Sequence, residues 1–366
     1  MDKQKLYKLP WTREDNPNGW IEPTTYCQIK CPGCYRGLGE NSRKQEHQDI
    51  ESLKKEIDFL TEKRNIQSLS IAGGEPLMYP DLNLLVKYAS GKGLKIKIYT
   101  NGLLLDKGRL KELKELGVTE FVIHIDRHQQ RSNSFSESEL NATRQRFCKM
   151  FRKEGNVNLG FIMPISKQDI GQLSSVISFF KENSDIINLV VFVVLKEMLP
   201  NKKIDPKLKL SLQELRDAVQ KEFGIDYCAY LGKEHCDEIS WLFSFSAYSQ
   251  GKLIGSFDNN LYRIIQAGYY KRKSKYFITI PNKPLSIKKM LPWILNASVR
   301  NILFKYLRNP FKNINHQVVL LIDPPDLTEK GWDLCDGCPD AMAYNKELVP
   351  SCLLERIKSG ERILIK

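Results

Sequence analysis

The chain has 366 residues, of which 42% are hydrophobic and 27% charged, a balance that is ordinary for a globular protein. Its opening residues are too polar for a signal peptide, so the nine cysteines do not indicate a secreted disulfide scaffold, and no apolar run is long enough to span a bilayer. The formal net charge is +13, and twelve basic but no acidic residues lie between Asp258 and Asp323. We therefore expect a cytoplasmic protein with one basic segment that meets an anionic partner.

Residues 20 to 196 show strands that alternate with helices. Helices are predicted at 49–63, 82–89 and 170–182, with two others ending near 116 and 155. Six strands are predicted, at 20–26, 66–72, 94–100, 120–126, 157–165 and 187–195. This alternation predicts an α/β fold, a partial (β/α)6 TIM-like barrel whose chemistry lies at the carboxyl ends of its strands.

The remaining chain is divided by composition. We predict a core of alternating strands and helices at 1–196, a linker and basic, aromatic segment at 197–330 for a substrate or a membrane surface, and an extension with the second cysteine cluster at 331–366. Within the middle segment a helix is expected at about 210–223. Apolar residues between Ile287 and Leu307 follow helical spacing with basic residues beside them, which predicts an amphipathic helix beginning near Pro292.

The first cysteine cluster has the spacing C-x3-C-x2-C at Cys27, Cys31 and Cys34, directly after the first predicted strand. Three thiolates on one loop can hold three irons of a cubane cluster and leave the fourth iron open. Structural zinc is the alternative, but it needs a fourth ligand, and His47 lies thirteen residues beyond Cys34. The spacing favours the iron–sulfur cluster.

The second predicted strand ends in Gly73-Gly74-Glu75-Pro76, and with the cysteine motif this turn resembles the radical S-adenosylmethionine (SAM) superfamily over about residues 22–195. The resemblance implies a [4Fe-4S] cluster whose open iron binds SAM. It also implies that the glycine backbone approaches SAM's amino group closely, because glycine has no side chain. Many family members have an aromatic residue before the last cysteine, where this chain has Gly33, and Tyr35 is the expected substitute. The cofactor-binding residues implied are Tyr35, Gly73, Gly74, Glu75, Pro76, Thr100, Asn101 and Asp126.

The second cysteine cluster is C-x2-C-x13-C at Cys335, Cys338 and Cys352. It resembles the auxiliary-cluster region of the GTP cyclase of molybdopterin synthesis, and more broadly the Twitch-type extensions of radical SAM enzymes. This resemblance implies a second [4Fe-4S] cluster. Zinc is the alternative, with a fourth ligand from Cys228, Cys236, His235 or His316.

The basic segment permits several interpretations. One is a helix that packs on the barrel and exposes a charged face to solvent. Another is a basic amphipathic helix, with Trp293, on an anionic membrane surface. A phosphorylated substrate would also fit the charge, whereas no nucleic-acid-binding module is recognisable, so we do not expect nucleic acid.

The predicted function is a radical SAM enzyme that cleaves SAM reductively to a deoxyadenosyl radical and abstracts a hydrogen atom from an anionic lipid or phosphorylated substrate. Expected partners are that substrate, a reductant such as flavodoxin or ferredoxin, and the inner face of a membrane. The alternatives are a peptide maturase with an electron-accepting auxiliary cluster and a non-catalytic iron–sulfur scaffold. No catalytic residue is assigned.

Overall fold

The computed structural model describes residues 3–31, 34–36, 45–129, 131, 136–196, 205–278, 294–307, 313–329 and 331–363. The described helices are α1 Ile50–Lys63, α2 Leu82–Gly91, α3 Lys107–Glu115, α4 Asn141–Glu154, α5 Leu173–Glu182, α6 Leu212–Phe223, α7 Asn259–Lys273, α8 Ala297–Leu307 and α9 Leu354–Lys358. The described strands are β1 Tyr7–Lys8, β2 Asn18–Ile21, β3 Ser68–Ile71, β4 Lys95–Thr100, β5 Val118–His124, β6 Asn158–Ile165, β7 Ile187–Val194, β8 Ala229–Gly232, β9 Ile239–Ser249, β10 Lys252–Ser256, β11 Asn315–Ile322, β12 Asp326–Thr328, β13 Gly331–Asp333, β14 Ala341–Tyr344 and β15 Glu347–Pro350.

Strands β2 to β7 form a parallel sheet in sequence order, and α1 to α5 connect them. The barrel-like fold class and five of the six predicted strands are thereby confirmed, whereas the first, predicted at 20–26, is found at Asn18–Ile21. Helix α1 shows why the helical spacing of apolar residues in the sequence predicted its position. Its residues Leu53, Ile57 and Leu60 are fully buried against the sheet, and the Asp49 side chain caps its first turn by accepting from the Ser52 N–H.

The sheet continues beyond the six predicted strands. Strand β11 pairs in parallel with β7, β9 lies antiparallel to β11, and β8 and β1 follow at the edge. The segment 197–330, expected to be a linker and a basic, aromatic segment, thus supplies β8, β9, β10 and β11 to this sheet from its described residues. Strand β9 escaped the sequence analysis because both of its faces are buried. Phe243 and Phe245 enter one apolar cluster and Leu242 and Tyr248 the other, so no polar alternation marks the strand.

The C-terminal extension contains β13, which pairs with β12 just before it, then the hairpin β14–β15 and α9. Met342 and Val349 pack on Trp20 and Ala72 of the barrel. The guanidinium of Arg64, which is almost fully buried, donates to the carbonyl oxygens of Cys338 (2.8 Å) and Pro339 (3.2 Å). The extension is therefore fastened to the edge of the barrel sheet that β2 and α1 form.

The predicted amphipathic helix is described only in its second half, as α8. Val299, Ile302, Leu303 and Tyr306 form its buried face, as the periodicity indicates. Residues 287–293, with Pro292 and Trp293, lie outside the described residues, as do Arg308 and Lys312. None of the described helices is long and apolar enough to cross a bilayer.

Candidate active site

The three cysteines of the first cluster lie on the loop after β2 and line a cavity at the carboxyl ends of the parallel strands. The Cys34 N–H donates to the Cys31 carbonyl over 3.2 Å, which closes this part of the loop into a turn. Burial raises the pKa of the Cys27 and Cys31 thiols. Metal binding at this loop must therefore displace protons from the sulfur atoms.

The Gly73-Gly74 turn packs backbone to backbone against the strand-to-loop segment that leads to Cys27. The Gly74 N–H donates to the Thr24 carbonyl over 2.8 Å, and Gly73 has a φ of +106°. A Cβ on Gly73 would lie 2.7 Å from the Thr24 carbonyl oxygen, and one on Gly74 would lie 2.8 Å from the Thr25 carbonyl carbon. The chain's own packing therefore requires both glycines, which also line the cavity.

Glu75 is fully buried behind this turn. Its carboxylate accepts hydrogen bonds from the Thr100 hydroxyl (2.6 Å), the Asn101 N–H (2.7 Å) and the Leu77 N–H (3.1 Å). Burial raises its pKa, and the hydrogen bonds oppose that rise. Glu75 thus joins the glycine turn to the end of β4 and positions Thr100 and Asn101, both of which line the cavity. Its contact with SAM, like that of Pro76, stays a prediction.

Asp126 follows β5 and is also buried at the cavity wall. It accepts from the His128 N–H over 2.7 Å and forms an ion pair with His124. Burial pushes its pKa upward, but the two histidines outweigh burial and lower it. His128 in turn lies 3.1 Å from the Asp169 carboxylate, which raises the pKa of the imidazole. The end of β5 therefore carries two imidazoles oriented by carboxylates.

Tyr35 lines the cavity and links the two cysteine sites. Its hydroxyl donates to Glu22 over 2.8 Å, and it packs with Leu334, Leu353 and Cys352 of the extension. Arg36, beside it, is 2% exposed. It pairs with Glu22 at 2.7 Å and with Glu355 of α9. The loop of the first cysteine cluster is thus held directly by the extension that carries the second. The contact of Tyr35 with adenine stays a prediction.

The second triad, Cys335, Cys338 and Cys352, lines the same cavity as the first. Cys338 lies in a turn and has a φ of +37°. The neighbouring Gly337 in this turn packs against the Trp11 backbone. Burial raises the pKa of Cys335 to about 12 and that of Cys338 to about 11. Here too metal binding must displace protons from the sulfur atoms.

A single zinc ion is the alternative to a cluster at each triad. Tetrahedral zinc at about 2.3 Å from each sulfur places the sulfurs about 3.8 Å apart. Among the described residues, neither cysteine triad brings its three sulfurs within 4.8 Å of one another. The proposed fourth zinc ligands do not line the cavity either. Cys228 is buried with its thiol directed to the Phe243 carbonyl, and Cys236 is exposed.

The cavity has a volume of about 550 Å³, and its wall is mainly apolar. Of the residues between Asp258 and Asp323, Ile322 alone is found in its described lining, so the described basic side chains of that segment lie elsewhere. Lys196 reaches the wall, but it pairs with Asp323 (2.7 Å) and Asp326 (2.6 Å). Among the described residues of its lining, the cavity therefore carries little uncompensated positive charge.

The sequence analysis missed Lys196, His124 and the Glu22–Arg36 pair. Lys196 and His124 stand at the carboxyl ends of β7 and β5, so the strand-end rule that selected Asp126 could have found them. Arg36 carried no such signal, because its partners are fourteen and 319 residues away in the chain.

Three comparisons show which known proteins this chain is similar to. The model of the radical SAM superfamily matches residues 21–180. Fe-coproporphyrin III synthase of Methanosarcina barkeri is 27% identical over 222 residues, which is 60% of this chain and 54% of that protein. PqqA peptide cyclase of Bradyrhizobium diazoefficiens is 35% identical over 98 residues, which is 27% of this chain and 25% of that protein. The structure of Streptococcus suis SuiB bound to the precursor peptide SuiA has a TM-score of 0.45 at 23% identity, over 56% of this chain and 45% of that one. The chain spans about half the length of the first relative and a quarter of the second.

Proposed function

Residues 21–180 belong to the radical SAM superfamily, and from that premise we propose that this enzyme generates a deoxyadenosyl radical from SAM and abstracts a hydrogen atom from a substrate held between two iron–sulfur clusters. One observation carries the proposal: both cysteine triads line a single cavity at the carboxyl ends of the parallel strands. A substrate of suitable size in that cavity would be in reach of both sites.

The first site would hold a [4Fe-4S] cluster on Cys27, Cys31 and Cys34, which when bound supplies the electron for reductive cleavage of SAM. The protein's own residues bind and orient the cosubstrate. Gly73 and Gly74 expose backbone to the cavity, and Glu75 fixes the end of β4 from behind. The apolar wall excludes water from the reacting groups.

The second site would hold an auxiliary [4Fe-4S] cluster on Cys335, Cys338 and Cys352. With three cysteine ligands it would leave one iron for the substrate or for a further ligand. Because this site lines the same cavity, it is placed to bind the substrate or to accept an electron from it. A flavodoxin or ferredoxin, as in a reducing cytoplasm, is the proposed reductant.

The substrate class is proposed from charge. The excess of basic residues between Asp258 and Asp323 favours an anionic lipid or phosphorylated substrate. Since the described basic residues of that segment lie outside the cavity lining, they would act on an anionic group that stays outside, while an apolar part of the substrate enters. An amphipathic molecule with separate polar and apolar ends meets both conditions.

A peptide maturase is the second candidate. The names of two similar proteins, PqqA peptide cyclase and SuiB bound to its precursor peptide, refer to peptides. A non-catalytic scaffold, the third candidate, would bind clusters but leave SAM intact under reduction.

The test compares anaerobically reconstituted wild type with the triple Cys335, Cys338 and Cys352→Ala variant, by iron and sulfide content and EPR. We expect about eight irons in the wild type and about four in the variant. Cys236→Ala is the matched control, because that cysteine is exposed and outside the cavity, and it should keep the wild-type iron content. About four irons in both wild type and triple variant would remove the auxiliary cluster. Release of deoxyadenosine on reduction separates the enzyme from the scaffold.

A further inference from the structure

Helix α8 exposes apolar side chains on the side opposite its packing face. Leu307 is 68% exposed and Phe304 62% exposed, while Leu295, in the turn before the helix, is 88% exposed. Arg300 connects them, because it lies on the same helix face as Leu307 and its guanidinium donates to the Leu295 carbonyl over 2.9 Å. We call Leu295, Arg300, Phe304 and Leu307 the α8 patch.

The buried side of α8 already accounts for its attachment to the protein. Ile302 packs closely on β10, where a Cβ on Gly255 would lie 2.6 Å from its side chain. At the helix start, Asp258 accepts from Asn296 (3.1 Å) and from the Ser298 hydroxyl (2.7 Å). The exposed leucines take no part in these contacts, so core packing does not explain why they are apolar. Large apolar side chains grouped at an exposed site mark an interaction surface.

The charge around the patch selects the kind of partner. Residues 294–307, which form α8 and the turn before it, contain two basic residues and no acidic one. Arg300 and Lys305 are both exposed on α8 itself. An apolar ridge whose own helix carries Arg300 and Lys305 is complementary to an anionic lipid surface, into which leucine inserts while arginine and lysine pair with headgroups.

We propose that the α8 patch docks the protein on anionic membranes, with Leu295 and Leu307 inserted at the level of the headgroups. The patch lies outside the described lining of the cavity. The inference therefore does not depend on the proposed radical chemistry, although a membrane would bring amphipathic molecules to the same protein.

The test is flotation of the reconstituted protein with vesicles of phosphatidylcholine alone or with one third phosphatidylglycerol. We expect binding to the anionic vesicles that weakens as salt is raised. The double variant Leu295→Glu, Leu307→Glu should reduce the bound fraction at least tenfold. This is the expected order of magnitude because two inserted apolar side chains are lost and two negative charges are added. Leu84→Glu is the control, because Leu84 on α2 is 55% exposed and lies outside the patch.

Each result decides the proposal. Loss of vesicle binding in the double variant but not in Leu84→Glu supports it, and iron content and far-ultraviolet circular dichroism confirm that the variants remain folded. If the double variant is unfolded, the single variant Leu307→Ser, at a solvent-exposed position, is tested in its place. It too should bind anionic vesicles less than wild type does. Wild type that stays unbound, or patch variants that bind as wild type does, would overturn the proposal whatever the outcome of the iron and SAM assays.

Discussion

Arg36 offers a direct test of how the two cysteine sites are coupled. Its guanidinium is 2% exposed and joins Glu22, which is fully buried, to Glu355, whose side chain is 17% exposed. The substitution Arg36→Met keeps most of the side-chain volume and removes the charge. Because it leaves a buried carboxylate without its cation, we expect a loss of about 3–5 kcal/mol in the free energy of unfolding.

The assay is urea unfolding followed by circular dichroism, with the midpoint and slope compared between variants. Arg36→Met and Glu355→Gln, combined in a double-mutant cycle, should couple by about 0.5–3 kcal/mol because the two side chains touch. We also expect Arg36→Met to lower the iron content of both sites, since Arg36 lies two residues from Cys34 and Glu355 three residues from Cys352. Lys54→Met, which breaks a surface pair with Glu51 on α1, is the control and should leave the midpoint unchanged.

A loss below about 1 kcal/mol in the free energy of unfolding of Arg36→Met would refute this reasoning. The buried pair would then contribute no more than an ordinary surface salt bridge. Wild-type iron content in the variant would show that the two sites are held independently.

Two further predictions concern the cavity wall. Gly74→Ala should weaken SAM binding to the reconstituted protein at least tenfold, as measured by equilibrium dialysis. The reason is that the added Cβ would displace the strand-to-loop backbone at Thr25. Unchanged binding would show that the turn tolerates the shift. Asp169→Asn should lower the pKa of His128, measured by NMR titration of the imidazole, because the raised pKa depends on that carboxylate. The pKa of Asp169 lies at about 2 and that of His128 above 6.5, so both partners of this ion pair are charged between about pH 4 and 6.5. In that range Asp169→Asn should cause its largest loss in the free energy of unfolding. The loss should become smaller as pH rises through the pKa of folded His128. An equal loss at pH 5.5 and pH 9 would contradict this ion pair.

Local sequence determined the elements whose signal is carried by neighbouring residues. The spacing of Cys27, Cys31 and Cys34 is a property of one short loop, and the helical stripe of α1 follows from residues three and four apart. The order of strands β2 to β7 followed from strand–helix alternation, because short crossovers leave few arrangements of a parallel sheet.

Tertiary structure alone decided the long-range relations. That both cysteine triads share one cavity depends on the extension folding back over the barrel, more than 300 residues after the first loop. Strand β9 joins the sheet through partners that no local pattern specifies, since it is buried on both faces. The basic segment, which composition alone made a candidate for the substrate site, has its described charges outside the cavity. Composition records how much charge a segment carries, whereas the direction in which that charge faces is set by packing between elements distant in sequence.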